Sequence, residues 1–179
     1  KVKELIEIFK NELETGLKFD YGMLQALPTF VYSLPTGGEK GKFLTVDLGG
    51  TNLRIGLVQL LGEGDFSIQK DSFQLSEELK ACGDGKQIFK FIAEKIKSFL
   101  EHPEIEAELP LKLGFTFSFP VAQESLGHGR IISWSKEIVA DNVIGGDAVA
   151  LLQEALHALK LDIQVEVLVN DTVGTLLAQ

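Results

Sequence analysis

The feature that most constrains the fold is a change in the spacing of apolar residues near residue 42. Residues 1–18 carry apolar side chains at helical spacing, and Gly16 is a plausible end for that helix. Beyond an extended, proline-containing connection, three apolar runs follow, FLTVDL, LRIGLVQLL and FSIQKDSFQL, separated only by GGTN and GEGD. Apolar runs joined by such short turns predict a meander of three antiparallel strands.

After the meander, helix and strand patterns alternate. GDGKQIFKFIAEKIKSFLEH and GDAVALLQEALHALK are amphipathic helices, whereas LKLGFTFSFP and QVEVLVN are typical of buried strands. GRIISWS is a candidate extra strand, and DTVGTLLAQ should begin a third helix. The order βββαβ(β)αβα, preceded by an N-terminal helix, predicts an α/β fold with a mixed sheet. This order is similar to the ribonuclease-H-like domains of the actin, Hsp70 and sugar-kinase group, a likeness that establishes no activity.

Composition narrows the functional classes. Seventeen basic and twenty-six acidic residues give a net charge of −9, which argues against nucleic-acid or anionic-membrane partners. The single cysteine, Cys82, excludes an intramolecular disulfide framework and favours a reducing, intracellular compartment. No stretch approaches about 20 uninterrupted apolar residues, so membrane insertion is not expected. Because the chain starts without Met and stops within a helical pattern, we expect a piece of a longer protein.

The turn between the first two strands is a candidate phosphate site. Glycines without a Cβ would let backbone N–H groups approach a polyphosphate, and a hydroxyl and an amide follow them. An acid at the strand end could hold a magnesium ion through water, and an arginine could organise the turn or offset charge. An ordinary hairpin turn beside a solvated acid fits the same residues. They are Asp47, Gly49, Gly50, Thr51, Asn52 and Arg54.

Polar side chains also stand where later strands end. Ser118 lies between two phenylalanines, a setting that suits a polyol ligand or a serine bonded to backbone. Ser135 and Lys136 follow Trp134 and could offer a hydroxyl and a cation to a polyol, although a surface turn around a packed tryptophan fits the same residues.

The carboxyl end of the last predicted strand carries Asn170 and Asp171. In open α/β sheets this is the edge where ligands bind. The Asp171 carboxylate could accept a proton from an alcohol that attacks phosphorus. Alternatively, Asp171 or Thr172 serves only as a helix cap. The catalytic interpretation requires that the Gly49 turn and Asp171 converge on one cleft.

Five segments, DLGGTNLR, LQALPTFVYSLPTG, LGFTFSFP, SWSK and VNDTVGTL, occur in the order and at roughly the separations seen in eukaryotic-type hexokinases and glucokinases. The chain thus resembles the N-terminal part of that family over essentially its whole length. The resemblance implies ATP-dependent phosphorylation of the 6-hydroxyl of a hexose such as glucose, the first step of glycolysis, between two lobes in the cytoplasm. It implies ATP and Mg²⁺ as cofactors.

By the same resemblance, residues 1–40 would belong to the large lobe and residues 41–179 would form the small lobe, with the remainder of the large lobe as their partner. Asp171 would be the catalytic base. Asp47 would hold Mg²⁺ through water within the phosphate-binding turn. The sugar would be bound by Ser118, Ser135, Lys136, Asn170 and Asp171.

Two departures from the family pattern leave alternatives open. The family usually has Thr-Lys at the position of Ser135-Lys136, and glycine followed by an aromatic residue where this chain has Glu137 and Ile138. A hexokinase-like sugar sensor with little or no transfer is therefore an alternative, and an actin-like ATPase without a sugar is a third. Since further sugar- and adenosine-binding segments would lie beyond Gln179, residues 1–179 alone should have negligible kinase activity.

Overall fold

A five-stranded mixed sheet forms the centre of the protein, as seen in a computed structural model that describes residues 1–18, 23–24 and 26–177. The helices are α1 Val2–Lys18, α2 Glu77–Lys80, α3 Gly85–Leu100, α4 Ala148–Ala158 and α5 Asp171–Leu177, with a 3₁₀ turn at Asp141–Val143. The strands are β1 Lys40–Leu48, β2 Asn52–Gly62, β3 Asp65–Gln74, β4 Leu111–Phe117, β5 Val121–Ser125, β6 His128–Ile131 and β7 Ile163–Val169.

The strand order in the sheet is β3-β2-β1-β4-β7. Strands β1, β2 and β3 pair antiparallel, as the short turns predicted, and β4 and β7 join β1 in parallel. The helical crossovers through α3 and α4 make this parallel pairing possible. The predicted α/β class, mixed sheet and N-terminal helix are therefore confirmed.

The boundaries differ from the predictions in three places. Helix α1 continues through Gly16 to Lys18, because a single glycine costs a helix only about 1 kcal/mol. The GRIISWS strand is β6, which ends at Ile131, and its hairpin partner β5 was not predicted. Helix α5 is described to Leu177, and the last two predicted residues lie outside the described part.

The two faces of the sheet have different environments. Leu44, Val46 and Leu48 of β1 are buried in the core that includes α3 and α4, whereas Thr45 and Asp47 point to the opposite face. That opposite face stays partly open, and α5 begins beside it. Among the described residues, no helix is both long and apolar enough to cross a bilayer.

Glu39 fixes the turn that leads into β1. Its carboxylate accepts hydrogen bonds from the Thr36 backbone N–H at 2.8 Å, the Thr36 hydroxyl at 2.8 Å and the Gly37 N–H at 2.9 Å. These bonds, chiefly that from the Thr36 backbone, lower the pKa of Glu39 from its usual 4.5 to about 2.

We expect acid to release this turn. Because folding depresses the Glu39 pKa, its stabilising effect is complete above about pH 4.5 and is lost as the pH falls toward 2. An NMR titration should give a Glu39 midpoint near 2, with the Thr36 amide shifting in parallel. Glu39→Gln should abolish the amide response, and Glu63→Gln, an exposed control, should leave it intact. A midpoint near 4.5 would contradict this account.

Candidate active site

Parallel pairing brings the candidate residues to one edge of the sheet. Asp47 of β1 lies beside Thr116 of β4, and Thr116 lies beside Val169 of β7. Ser118 follows β4 by one residue, and its backbone N–H donates to the Leu48 carbonyl at 3.1 Å. Asn170 directly follows β7. The sheet therefore assembles polar groups that are distant in sequence at the carboxyl ends of three strands.

A cavity of about 450 Å³ lies on the open face and is called here the carboxylate cavity. Asp47, Arg54, Thr116 and Asp171 all line it, together with Lys70 from the edge strand. Arg54 Nη1 pairs with Asp47 Oδ2 at 2.8 Å, which fixes one oxygen of that carboxylate. The two predicted acids, Asp47 and Asp171, thus face the same space.

The glycine turn is fixed by its own backbone. The Gly49 N–H donates to the Asn52 carbonyl at 3.0 Å, and the Thr51 carbonyl accepts from the Leu75 N–H at 2.9 Å. The Gly49 N–H is consequently occupied within the turn. The structure places this turn next to the carboxylate cavity through Asp47 and Arg54, whereas Gly49, Gly50, Thr51 and Asn52 are not among its lining residues.

A second cavity of about 330 Å³, the serine cavity, lies beside the first turn of α5. Ser118 and Asn170 line it together with Pro28 and Thr29 of the connecting segment. Ser118 is only 8% exposed, and within the described part of the chain its hydroxyl makes no hydrogen bond. Hydroxyl and amide groups beside apolar side chains, here Ser118, Thr29 and Asn170, are suited to orienting a small polyol.

Asn170, rather than Asp171 or Thr172, supplies the main cap of α5. Asn170 Oδ1 accepts from the Thr172 N–H at 3.0 Å and from the Thr172 hydroxyl at 2.6 Å. Its amide nitrogen donates to the Phe117 carbonyl at 3.4 Å. Asp171 Oδ1 also accepts from the Thr172 N–H, at 2.9 Å. Asn170 therefore links the start of α5 to the end of β4, and the Asp171 carboxylate next to it faces the carboxylate cavity.

Lys136 reaches the serine side of the site, whereas Ser135 does not. The Lys136 ammonium donates to the Ser118 carbonyl at 3.1 Å and lies 5.4 Å from the centroid of the Phe119 ring. Ser135 is exposed, and neither Lys136 nor Ser135 is among the residues that line the two cavities. Trp134 is half-buried against Phe119, with ring centroids 4.9 Å apart, so this tryptophan is packed.

Sequence reasoning missed Thr116, Lys70 and the Leu27–Thr29 wall. Thr116 shares a face with Asp47 only because of the parallel register, and Lys70 lies opposite Gly56, which has no side chain to block it. The predicted β2–β3 hairpin could have pointed to Lys70, because its register places Lys70 on the same face as Arg54. The register between the distant strands β1 and β4, which places Thr116 beside Asp47, is not readable from one sequence.

A magnesium ion fits this site only as a partly hydrated ion. Across the described ranges no group of three or more His, Cys, Asp or Glu could hold a metal. Asp47 is one carboxylate, with its second oxygen outside the Arg54 pair. Magnesium commonly binds through one or two carboxylates, several waters and substrate phosphates, so this donor set is compatible with it.

The fold is that of a ribonuclease-H-like α/β domain with two cavities at the strand ends, and comparisons with known proteins specify its family. The family model described as Hexokinase matches residues 1–179. The hexokinase of Kluyveromyces lactis is 40% identical, over 99% of this chain and 37% of the hexokinase. The glucokinase of Aspergillus niger is 38% identical, over 100% of this chain and 39% of the glucokinase.

A hexokinase structure from Schistosoma mansoni, complexed with glucose, matches with a TM-score of 0.86 and 37% identity over 94% of this chain and 38% of that chain. A second hexokinase crystal structure matches with a TM-score of 0.77 and 34% identity. The chain belongs to the hexokinase family. It spans less than half the length of these relatives.

The segment after Lys136 adopts an unusual backbone. Lys136 and Glu137 have φ angles of +59° and +69°, in the left-handed region that favours glycine. Ile138 is buried, and the Val139 N–H donates to the Lys80 carbonyl at 2.8 Å. The altered sequence is thus accommodated by anchoring the loop to the end of α2, with strained residues at positions 136 and 137.

We expect Glu137→Gly to stabilise the fold. Relief of the left-handed strain, about 1–2 kcal/mol, should exceed the entropic cost of a glycine, about 0.5–1 kcal/mol, for a net gain of roughly 0.5–1 kcal/mol. Urea denaturation would measure the free energy of unfolding. Val139→Gly, in the same loop but without a positive φ, is the matched control and should destabilise. Equal losses in both variants would exclude strain at Glu137.

Proposed function

We propose that the complete protein transfers the terminal phosphoryl group of ATP to the 6-hydroxyl of a hexose, with glucose as the first candidate. Membership of the hexokinase family supports this reaction, as do relatives named hexokinase and glucokinase and a relative complexed with glucose. Because this chain covers well under half of those relatives, residues 1–179 alone should transfer negligibly. The cytoplasm, favoured by the single cysteine, stays the expected compartment.

The observation that carries the proposal is that Asp47 and Asp171 line one cavity. Phosphoryl transfer needs an acceptor hydroxyl and a terminal phosphate held together, with charge neutralised at the phosphate and a base at the hydroxyl. The strand end at Asp47 and the helix start at Asp171 offer these two functions across a single space.

Asp171 is assigned as the general base. One of its oxygens accepts the Thr172 N–H, which orients the carboxylate and leaves the other oxygen for a substrate. As the hexose 6-oxygen forms its bond to the terminal phosphorus, its proton passes to that oxygen of Asp171. The bond from this phosphorus to the bridging oxygen breaks, and ADP leaves with the electron pair.

Asp47 and Arg54 are assigned to the phosphate side. Their ion pair at 2.8 Å orients Asp47 and places a cation beside the cavity. A bound Mg²⁺ would neutralise charge on the phosphate oxygens, and Asp47 would hold it through water. Gly49, Gly50, Thr51 and Asn52 would present their turn to the same phosphates.

The hexose is assigned to the serine cavity and its border with the carboxylate cavity. The first turn of α5 forms a wall of both cavities, so a sugar in one can present a hydroxyl to the other. Ser118, Asn170 and Lys136 would bind its hydroxyl groups, and Ser135 would require a movement of its loop. At about 330 and 450 Å³, each cavity is within the range of about 300–1,000 Å³ that is typical of small-molecule sites.

We also propose that residues 1–40 belong with the large lobe, apart from the small lobe formed by residues 41–179. Helix α1 has no buried residue, and its apolar side chains, including Val2, Leu5 and Phe9, are exposed. An amphipathic helix with an uncovered apolar face is typical of one that packs on another element.

Replacing Asp171 should separate binding from transfer. In the complete protein, we expect Asp171→Asn to lower kcat by roughly 10²- to 10⁴-fold, because the base is removed while the side-chain shape is kept. Hexose affinity should change little. A coupled assay for sugar phosphate provides kcat, and Asp162→Asn, an exposed acid away from both cavities, is the control. Undiminished turnover would rule out Asp171 as the base.

Trp134 offers a direct test of hexose binding. Its ring packs on Phe119 and Phe117, the neighbours of Ser118, so occupation of the serine cavity should change its emission. A saturable fluorescence change with glucose is expected in the complete protein. No change even with a large excess of glucose would count against a hexose site.

The alternative is a sugar sensor that binds hexose with little or no transfer. It is supported by the strained backbone of the loop that follows Lys136. It predicts the same saturable glucose response without turnover in the unmodified protein. Measuring binding and phosphorylation on one preparation therefore distinguishes a kinase from a sensor.

A further inference from the structure

Gly50 lies directly under the side chain of Lys136. Although it belongs to a turn, Gly50 is buried. A Cβ built on Gly50 would lie 2.5 Å from Lys136 Cδ and 2.9 Å from Lys136 Cγ, and closer still to Lys136 Cβ. The φ angle of Gly50 is not among the positive ones, so its backbone does not demand glycine. Glycine is required at position 50 because the aliphatic part of the Lys136 side chain fills the space that a Cβ would occupy.

Lys136 is held from two sides. Its stem packs on Gly50, and its ammonium donates to the Ser118 carbonyl at 3.1 Å, beside the Phe119 ring. The Ser118 N–H in turn donates to the Leu48 carbonyl, two residues before Gly50. The turn between β1 and β2 is therefore connected to Ser118 through Lys136 and through the Leu48 carbonyl.

We propose that Gly50 is a positioning residue for hexose binding, because its missing side chain sets the place of the Lys136 stem and thereby of the Lys136 ammonium beside Ser118. This role rests on the proposed function. It means that Gly50, which belongs to the turn assigned to phosphate, also affects the affinity for the sugar. The competing role for Gly50 is close approach of its backbone to phosphate alone.

An added methyl group cannot be absorbed by the flexible end of the lysine. The collision involves Lys136 Cβ and Cγ, the atoms nearest its backbone, so rotation about the outer bonds leaves it in place. The turn is fixed by the Gly49 to Asn52 and Leu75 to Thr51 hydrogen bonds. The segment carrying Lys136 must therefore move, and its ammonium moves away from the Ser118 carbonyl.

A double-mutant cycle in the complete protein tests this role, using Gly50→Ala, Lys136→Gly and the double variant. We expect Gly50→Ala to raise the glucose Kd by roughly 10-fold or more, with a smaller change in the KM for ATP. In the Lys136→Gly background, where no side chain is left to displace, Gly50→Ala should have no further effect on glucose affinity. Gly114→Ala, whose Cβ would meet nothing within 4 Å, is the control.

The outcomes are distinguishable. If unmodified protein does not bind glucose, the proposed function fails and this inference with it. If it binds glucose and Gly50→Ala leaves the Kd unchanged, or changes it equally in both Lys136 backgrounds, Gly50 has no positioning role. A selective rise in the KM for ATP would assign Gly50 to phosphate approach alone.

Should Gly50→Ala prove too unstable for binding measurements, the same cycle can be read from urea denaturation. Lys136→Gly alone also removes a residue with positive φ, so the diagnostic quantity is the loss of stability caused by Gly50→Ala in each Lys136 background, and a smaller loss in the Lys136→Gly background supports the contact. An equal loss in both Lys136 backgrounds overturns the proposal.

Discussion

Parallel hydrogen bonding between β1, β4 and β7 is the constraint on which the candidate site depends. Parallel strands end at the same edge of a sheet, so the residues that follow them meet although they are far apart in sequence. Asp47, Ser118 and Asp171 come together in this way. The antiparallel β2 and β3 extend the same face and contribute Arg54 and Lys70 to it.

The buried side of the sheet makes that edge rigid. A continuous run of aromatic contacts along and beyond β4 joins Phe115, Phe117 and Phe119. Trp134 packs at the end of this run, and its indole N–H donates to the Ala140 carbonyl at 2.8 Å. Ser118 is therefore set between two anchored rings. A group held by its neighbours in this manner loses little conformational entropy when it binds a ligand.

The sequence alone could predict most of the fold, because the meander, α3, α4 and β7 each have a clear hydrophobic period. It could not predict β5, a short hairpin strand whose VAQES sequence has little apolar content. The candidate acids were predictable from their places at strand ends. Thr116 and the packing of Lys136 on Gly50 were not, since both depend on contacts between distant segments.

Several polar groups of the candidate site already have partners within the protein. The Gly49 N–H, Asn170 Oδ1 and the Lys136 ammonium are all hydrogen-bonded to their surroundings. Such bonds keep the groups in place before a ligand arrives, and they must be shared or exchanged when it binds. The Ser118 hydroxyl and the second oxygen of Asp171 carry no such constraint from the contacts described here. Under the proposed function, selectivity for a hexose should therefore arise first at these two groups, while the bonded groups exchange their partners around them.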